Sequence, residues 1–292
     1  MSYYGSVVRN IRIDKGYSQD YLSHSEMTQS AYSKFELHNR EIRFGVLEKI
    51  VEKLELSFEE LVFIKNGYNF SDRDRIANDF FNMSFNDTET LNRIVWDTKA
   101  FLKNEEDYLI RDIHRICEAL VSANKTNSFN EATTIVLPIW DRLSKRNSLY
   151  VTDILLLNSI LFIFPIADVL EIQKFIFRSI DRYNNFRNIE RIKINILLNS
   201  TLLLIKDGQI SDALSGLNEL IVLCKKHSTY LQLAVTYVRK GICLNLLNQE
   251  GDTWIDKGKN ILLALEQNNL LIEIEKEIER SKLEIKKPHP HC

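Results

Sequence analysis

LLLNSILFIF, Leu155–Phe164, and ILLNSTLLLI, Ile196–Ile205, are near copies, and Asn158-Ser159 returns as Asn199-Ser200 after 41 residues. Each is an apolar run that keeps one carboxamide in its middle. The surroundings repeat as well, each time as a helix, a short break and a second helix. Glu190–Lys206 is followed by Asp207-Gly208 and then Ile210–Cys224. Tyr230–Leu247 is followed by Glu250-Gly251 and then Thr253–Glu266. Val151–Phe164 precedes Val169–Tyr183, with Pro165 in place of the Asp-Gly turn. A weaker unit runs Tyr108–Ser122 and then Phe129–Leu143. Helical hairpins recurring near this period predict an α-solenoid of tetratricopeptide (TPR-like) or HEAT-like type. Nine glycines and four prolines are little punctuation for 292 residues, so the whole chain reads as all-α.

The length suits two domains at roughly 100–200 residues each. With 45% hydrophobic and 27% charged residues the composition is that of a globular protein. A net charge of −2 excludes a general affinity for polyanions. No basic stretch followed by an apolar run opens the chain, and its apolar runs fall short of the ~20 residues of a membrane helix. Cys117, Cys224, Cys243 and Cys292 are scattered, with no CxxC pair. That usage points to a reducing cytoplasm, without disulfides or zinc. GxGxxG, P-loop, HExxH and GxSxG patterns are absent, so no catalytic residue, cofactor or metal is expected and an enzyme is disfavoured. The closing His-Pro-His-Cys lies at a chain end without a partner cluster and is not read as a metal site.

The first sixty-six residues differ in pattern. Five short helices are expected: Tyr3–Asp14, a short one after Ser18, Gln29–Glu36 after Thr28, Phe44–Leu54, and Phe58–Ile64 after Ser57. Ser18, Thr28 and Ser57 are N-caps. Two short helices joined by a tight turn inside such a bundle predict a helix-turn-helix. GYSQDYLS (residues 16–23) and TQSAYSKFE (residues 28–36) resemble the Cro/repressor type over residues 3–64. Side chains at the start and outer face of a recognition helix meet base edges, which assigns Gln29, Ser30, Ser33 and Lys34 to DNA contact. Gln19 opens the preceding helix, where side chain and backbone N–H suit a phosphate. Asn39, Arg40 and Arg43 follow the recognition helix and suit the same strand. Arg12 and Glu36 are read as a structural ion pair between helices. Residues 1–66 carry nine Lys/Arg against ten Asp/Glu, so a uniformly basic footprint is missing.

Asn66–Arg75, NGYNFSDRDR, is polar and turn-rich. The expected organisation is a DNA-binding domain over 1–66, a linker over 67–75, a helical-repeat domain over 76–268, and a capping or dimerisation helix with tail over 269–292. Leu271–Ile285 is the amphipathic part of that last segment.

The repeated amide has two readings. As a groove lining, Asn158 and Asn199 stand on successive inner helices about 10 Å apart. An extended peptide advances about 3.3 Å per residue, so the two amides meet backbone groups about three residues apart. Asn195 extends the strip by one turn, Phe162 and Leu202 supply apolar pockets, and Arg239 and Lys240 face a peptide carboxylate. As a strut, the two asparagines hydrogen-bond between helices. The third repeat puts Lys240 at the matching place.

A Cro-type helix-turn-helix followed by helix-pair repeats resembles the cytoplasmic pheromone receptors of Gram-positive bacteria, the Rgg, PlcR and PrgX regulators, and the Rgg group above all. GSVVRNIR, GYSQDYLS and SAYSKFE carry the resemblance at the front, LLLNSILFIF and ILLNSTLLLI behind. It implies that Asn158 and Asn199 touch a short, mostly apolar signalling peptide. It further implies a homodimer whose paired DNA-binding domains read a palindromic operator on double-stranded DNA, with peptide occupancy changing promoter binding (quorum sensing). The alternative is a helix-turn-helix regulator whose solenoid serves only dimerisation or a protein partner. Lys240 and the acidic front domain depart from the pattern.

Overall fold

The computed structural model describes residues 3–38, 40–83, 88–126, 128–183, 186 and 188–285. Their regular structure is helical, without strands among the described residues. The chain divides into two units, Met1–Asn78 and Asp79–Cys292.

The first unit holds α1 (Tyr4–Asp14), α2 (Gln19–Ser23), α3 (Gln29–His38), α4 (Phe44–Lys53) and α5 (Phe58–Lys65), and the division falls within α6 (Asp72–Phe81). Three hydroxyls start helices as caps. Ser18 Oγ accepts from Tyr21 N at 3.0 Å, Thr28 Oγ1 from Ala31 N at 3.2 Å, and Ser57 Oγ from Glu60 N at 3.1 Å. Val8, Leu22, Tyr32, Ile50, Leu54 and Leu61 are enclosed in the core they share. α1 crosses α3 at backbone contact. A Cβ on Gly5 would lie 1.9 Å from the Phe35 carbonyl oxygen, so only glycine fits there. α2 and α3, joined by residues 24–28, form the helix-turn-helix. α6 begins at Asp72, inside the stretch 67–75 read as a linker, where Ser71 Oγ accepts from Asp74 N.

The second unit continues with α7 (Thr88–Leu102), α8 (Tyr108–Thr126), α9 (Asn130–Leu143), α10 (Val151–Ile160), α11 (Ile166–Ile180), α12 (Ile189–Lys206), α13 (Ile210–Lys226), α14 (Tyr230–Leu246), α15 (Asp252–Ala264) and α16 (Asn268–Ile285). Neighbours in sequence pack together, α7 on α8, α8 on α9, α12 on α13, α13 on α14 and α14 on α15, as stacked helical hairpins do. Ala213, Leu217, Leu220, Ala234, Val238 and Leu262 form part of one continuous core, which Ile274 and Ile278 of α16 enter. Gly258 lets α15 approach α14, since a Cβ there would lie 2.5 Å from the Ala234 carbonyl oxygen. The His-Pro-His-Cys tail lies outside the described residues.

The two copies that open the sequence differ in length. α12 runs unbroken to Lys206, whereas α10 stops at Ile160 and gives way to a 3-10 turn over Leu161–Ile163. Pro165 is the cause. The residue before a proline is driven out of the helical region, and Phe164 is extended at φ −88°, ψ 155°. Phe162, expected on a helix, therefore sits on that turn.

Candidate functional site

On the first unit, α3 presents Gln29, Ser30 and Lys34 exposed, with Ser33 half-buried beside them. Arg40 and Arg43, in the connection to α4, are also exposed. Asn39 lies outside the described residues. Gln19 is placed differently from expectation. Its side-chain amide donates to Glu36 Oε2 at 2.8 Å, which leaves its backbone N–H, and not its carboxamide, for a phosphate. Glu36 also receives Arg12 Nε at 2.7 Å and Nη2 at 2.9 Å, while Arg12 Nη1 donates to the Tyr17 carbonyl oxygen at 2.9 Å. One carboxylate thus ties α1, α2 and α3. Burial alone pushes the Glu36 carboxyl up, but the hydrogen bonds from Arg12 and Gln19 outweigh it and hold the carboxyl below its ordinary range. The hydrogen bond to Glu36 in turn raises the Arg12 guanidinium.

On the second unit the amides come together. Asn199 Nδ2 donates to Asn158 Oδ1 at 3.1 Å, joining α12 to α10. Gln232 Nε2 donates to Asn195 Oδ1 at 3.0 Å, joining α14 to α12. Asn195, Asn199, Leu202 and Lys206 follow the i, i+4, i+7, i+11 spacing of one helix face. All four are partly or fully exposed, as is Asn158. The carboxamides therefore strut neighbouring helices and still line an accessible strip. Each asparagine keeps capacity unused among the described residues, Asn158 and Asn195 as donors and Asn199 as an acceptor. The Gln232 side-chain oxygen, Oε1, is buried without a donor among the described residues. Phe162 is linked to the strip through Phe129, whose ring lies 5.9 Å from its own and nearly perpendicular to it and carries Lys206 Nζ at 5.9 Å from the centroid.

Arg239 does not belong to this surface. It is buried at 7% exposure, its Nε donates to Glu277 Oε1 at 2.9 Å, and its Nη1 donates to the Leu198 carbonyl oxygen at 2.8 Å. A guanidinium fixed in that way fastens α12, α14 and α16 together and has no fork left for a ligand carboxylate. Lys240 is half-buried with its ammonium against Trp254 of α15. Among the described residues no cluster of His, Cys, Asp and Glu suits a metal, and no helix is long and apolar enough to cross a membrane.

Residues 140–276 match the family model of the C-terminal domain of the HTH-type transcriptional regulator Rgg. Over those residues the chain is similar to an Rgg C-terminal domain. The matched family is one of transcriptional regulators and not of enzymes. No curated protein matches the chain by sequence. Solved structures match it in shape. The SHP pheromone receptor Rgg2 of Streptococcus dysgalactiae superposes with a TM-score of 0.69 at 15% identity, over 95% of this chain and 99% of that one. PlcR of Bacillus thuringiensis, solved with the peptide PapR7 and DNA, gives 0.65 at 16% identity, over 99% and 100%. ComR of S. thermophilus, solved with DNA and its signalling peptide, gives 0.62 at 14%, over 96% and 99%. At these identities the likeness is one of fold.

Within the matched stretch, sequence reading missed Gln232. It pairs with Asn195 at a separation of 37 residues, off the 41-residue register that made Asn158 and Asn199 visible. A carboxamide in the first turn of an inner helix was the available signal. Glu277 had none, since it lies on α16, outside the repeat.

Proposed function

We propose that this Rgg-type chain is a DNA-binding transcriptional regulator whose helical repeats bind a short, mostly apolar peptide along the amide strip of α10, α12 and α14. The observation that carries the reading is the accessible carboxamide series Asn158–Asn199 and Asn195–Gln232 beside Leu202 and Phe162. A carboxamide both donates and accepts, so it pairs with peptide backbone whatever the side chains, and the apolar neighbours select for apolar ones. The peptides in the PlcR and ComR structures support the same class of ligand here. DNA is met by Gln29, Ser30 and Lys34 of α3, with Arg40 and Arg43 on phosphates, by a homodimer on a palindromic site. Peptide changes promoter binding only through a difference in its affinity for two states of the dimer, typically worth about 1–3 kcal/mol.

Calorimetry with synthetic apolar peptides of the length encoded in small reading frames beside the gene tests the first half. Wild type should bind one of them, and Asn199→Ala should weaken it about tenfold, the loss of roughly one buried hydrogen bond. Equal binding by both proteins would refute the strip. Selection from random duplex DNA tests the second half. Wild type should enrich a palindrome, while Gln29→Ala/Lys34→Ala should enrich none and melt at the same temperature. An unchanged motif would remove α3 from the interface.

A further inference from the structure

One polar-aromatic cluster on the repeats is unused by this reading. Lys240 Nζ stands 3.8 Å from the centroid of the Trp254 ring, and Lys257 Nζ stands 4.7 Å from the same centroid. Tyr237 tilts against that ring with centroids 5.3 Å apart. Among the described residues neither ammonium has a carboxylate within ion-pair distance. An indole face attracts a cation through its quadrupole. Two cations near one ring add mutual repulsion, which an oxyanion beside either would relieve through charge-assisted hydrogen bonds. Burial first, and then the charge of Lys257, hold the Lys240 ammonium below its ordinary range. The aromatic wall beside the charges suits an anion carried on an apolar body.

The place of the cluster is informative. Arg239 Nη1 on the Leu198 carbonyl oxygen sets α14 against α12 at a separation of 41 residues. In the 41-residue period of the sequence Lys240 corresponds to Asn199 and Asn158. We propose that Lys240, Lys257 and Trp254 form an oxyanion seat at the end of the amide strip, taking the free carboxylate of an apolar peptide. The seat itself follows from the cluster, whereas the peptide as its source rests on the groove reading.

The full chain has three tryptophans, and the indole N–H signal of Trp254, identified with Trp254→Phe, reports the seat in a ¹⁵N spectrum. N-acetyl-leucine and N-acetyl-leucinamide are the probes, at matched ionic strength. The acid should shift the Trp254 signal saturably and the amide should leave it in place. Lys240→Gln/Lys257→Gln should weaken the acid roughly tenfold. Lys257 is exposed, so Lys257→Gln alone, with a loss of roughly threefold, serves if the pair fails to fold. An equal response to acid and amide, no response to either, or an undiminished response in the variants overturns the seat. Peptide binding that depends on Asn199 but not on a free carboxylate overturns the seat and leaves the groove. A carboxylate response with no peptide binding does the reverse.

Discussion

Glu36 is enclosed to 0% side-chain exposure and holds three donors from two neighbouring helices. Glu36→Gln leaves the Arg12 guanidinium, itself only 12% exposed, without its counter-charge. The expected loss of stability at pH 7 is about 3 kcal/mol in urea unfolding of the full chain, provided the first unit's transition is resolved. The pH dependence has a definite sign. A carboxyl whose folded pKa is depressed stabilises the fold above its unfolded value, about 4.3, and loses that contribution as pH falls through the lower folded value. The difference between wild type and Glu36→Gln should therefore be full at neutrality and shrink in acid below about pH 4. A difference of the same size at pH 7 and pH 3 would show that shape and not charge is what the substitution removes. The amide pair invites a separate measurement. A double-mutant cycle of Asn158→Ala and Asn199→Ala should give a coupling of about 1 kcal/mol in stability, the worth of one interhelical hydrogen bond. No coupling would mean that the two side chains do not meet in solution. At this scale sequence marks a residue only when it recurs or fits a motif. Asn158 and Asn199 recur, and Arg12 and Glu36 fit the motif. Arg239 looks like any surface arginine until α16 brings Glu277 to it.

Helix ends followed local chemistry and were legible for that reason. Ser18, Thr28 and Ser57 each cap the helix that their position announces. Boundaries were missed where two signals compete. In LLLNSILFIF the apolar run argues for a helix to Phe164, but Pro165 imposes an extended residue before it and α10 ends early. Helix-to-helix distances were not legible, because they depend on which glycine faces which backbone. Gly258→Ala should push α15 away from α14 and cost about 1–3 kcal/mol by overpacking, read in thermal melts. Gly45→Ala on α4 is the matched control. A Cβ there meets nothing within 4 Å, and alanine should stabilise the helix by about 0.5–1 kcal/mol. Equal and small effects at both positions would contradict the close packing of α14 on α15.

At the scale of the molecule, repeat length and helix-turn-helix spacing announced an all-α chain of two kinds of unit, because both are periodic properties of sequence. The site was less legible, since it is made between helices. Three of its amides, Asn158, Asn195 and Asn199, could be read in advance, the partner Gln232 could not, and Arg239 proved to be packing. The central claim is that the strip of carboxamides on α10, α12 and α14 is where an extended apolar peptide lies. The most direct measurement follows the side-chain amide signals of Asn158, Asn195, Asn199 and Gln232 in a ¹⁵N spectrum as a binding peptide is added. All four are expected to move together and to saturate with the calorimetric isotherm. Saturable binding that leaves these four signals where they were, and shifts others instead, would contradict the account.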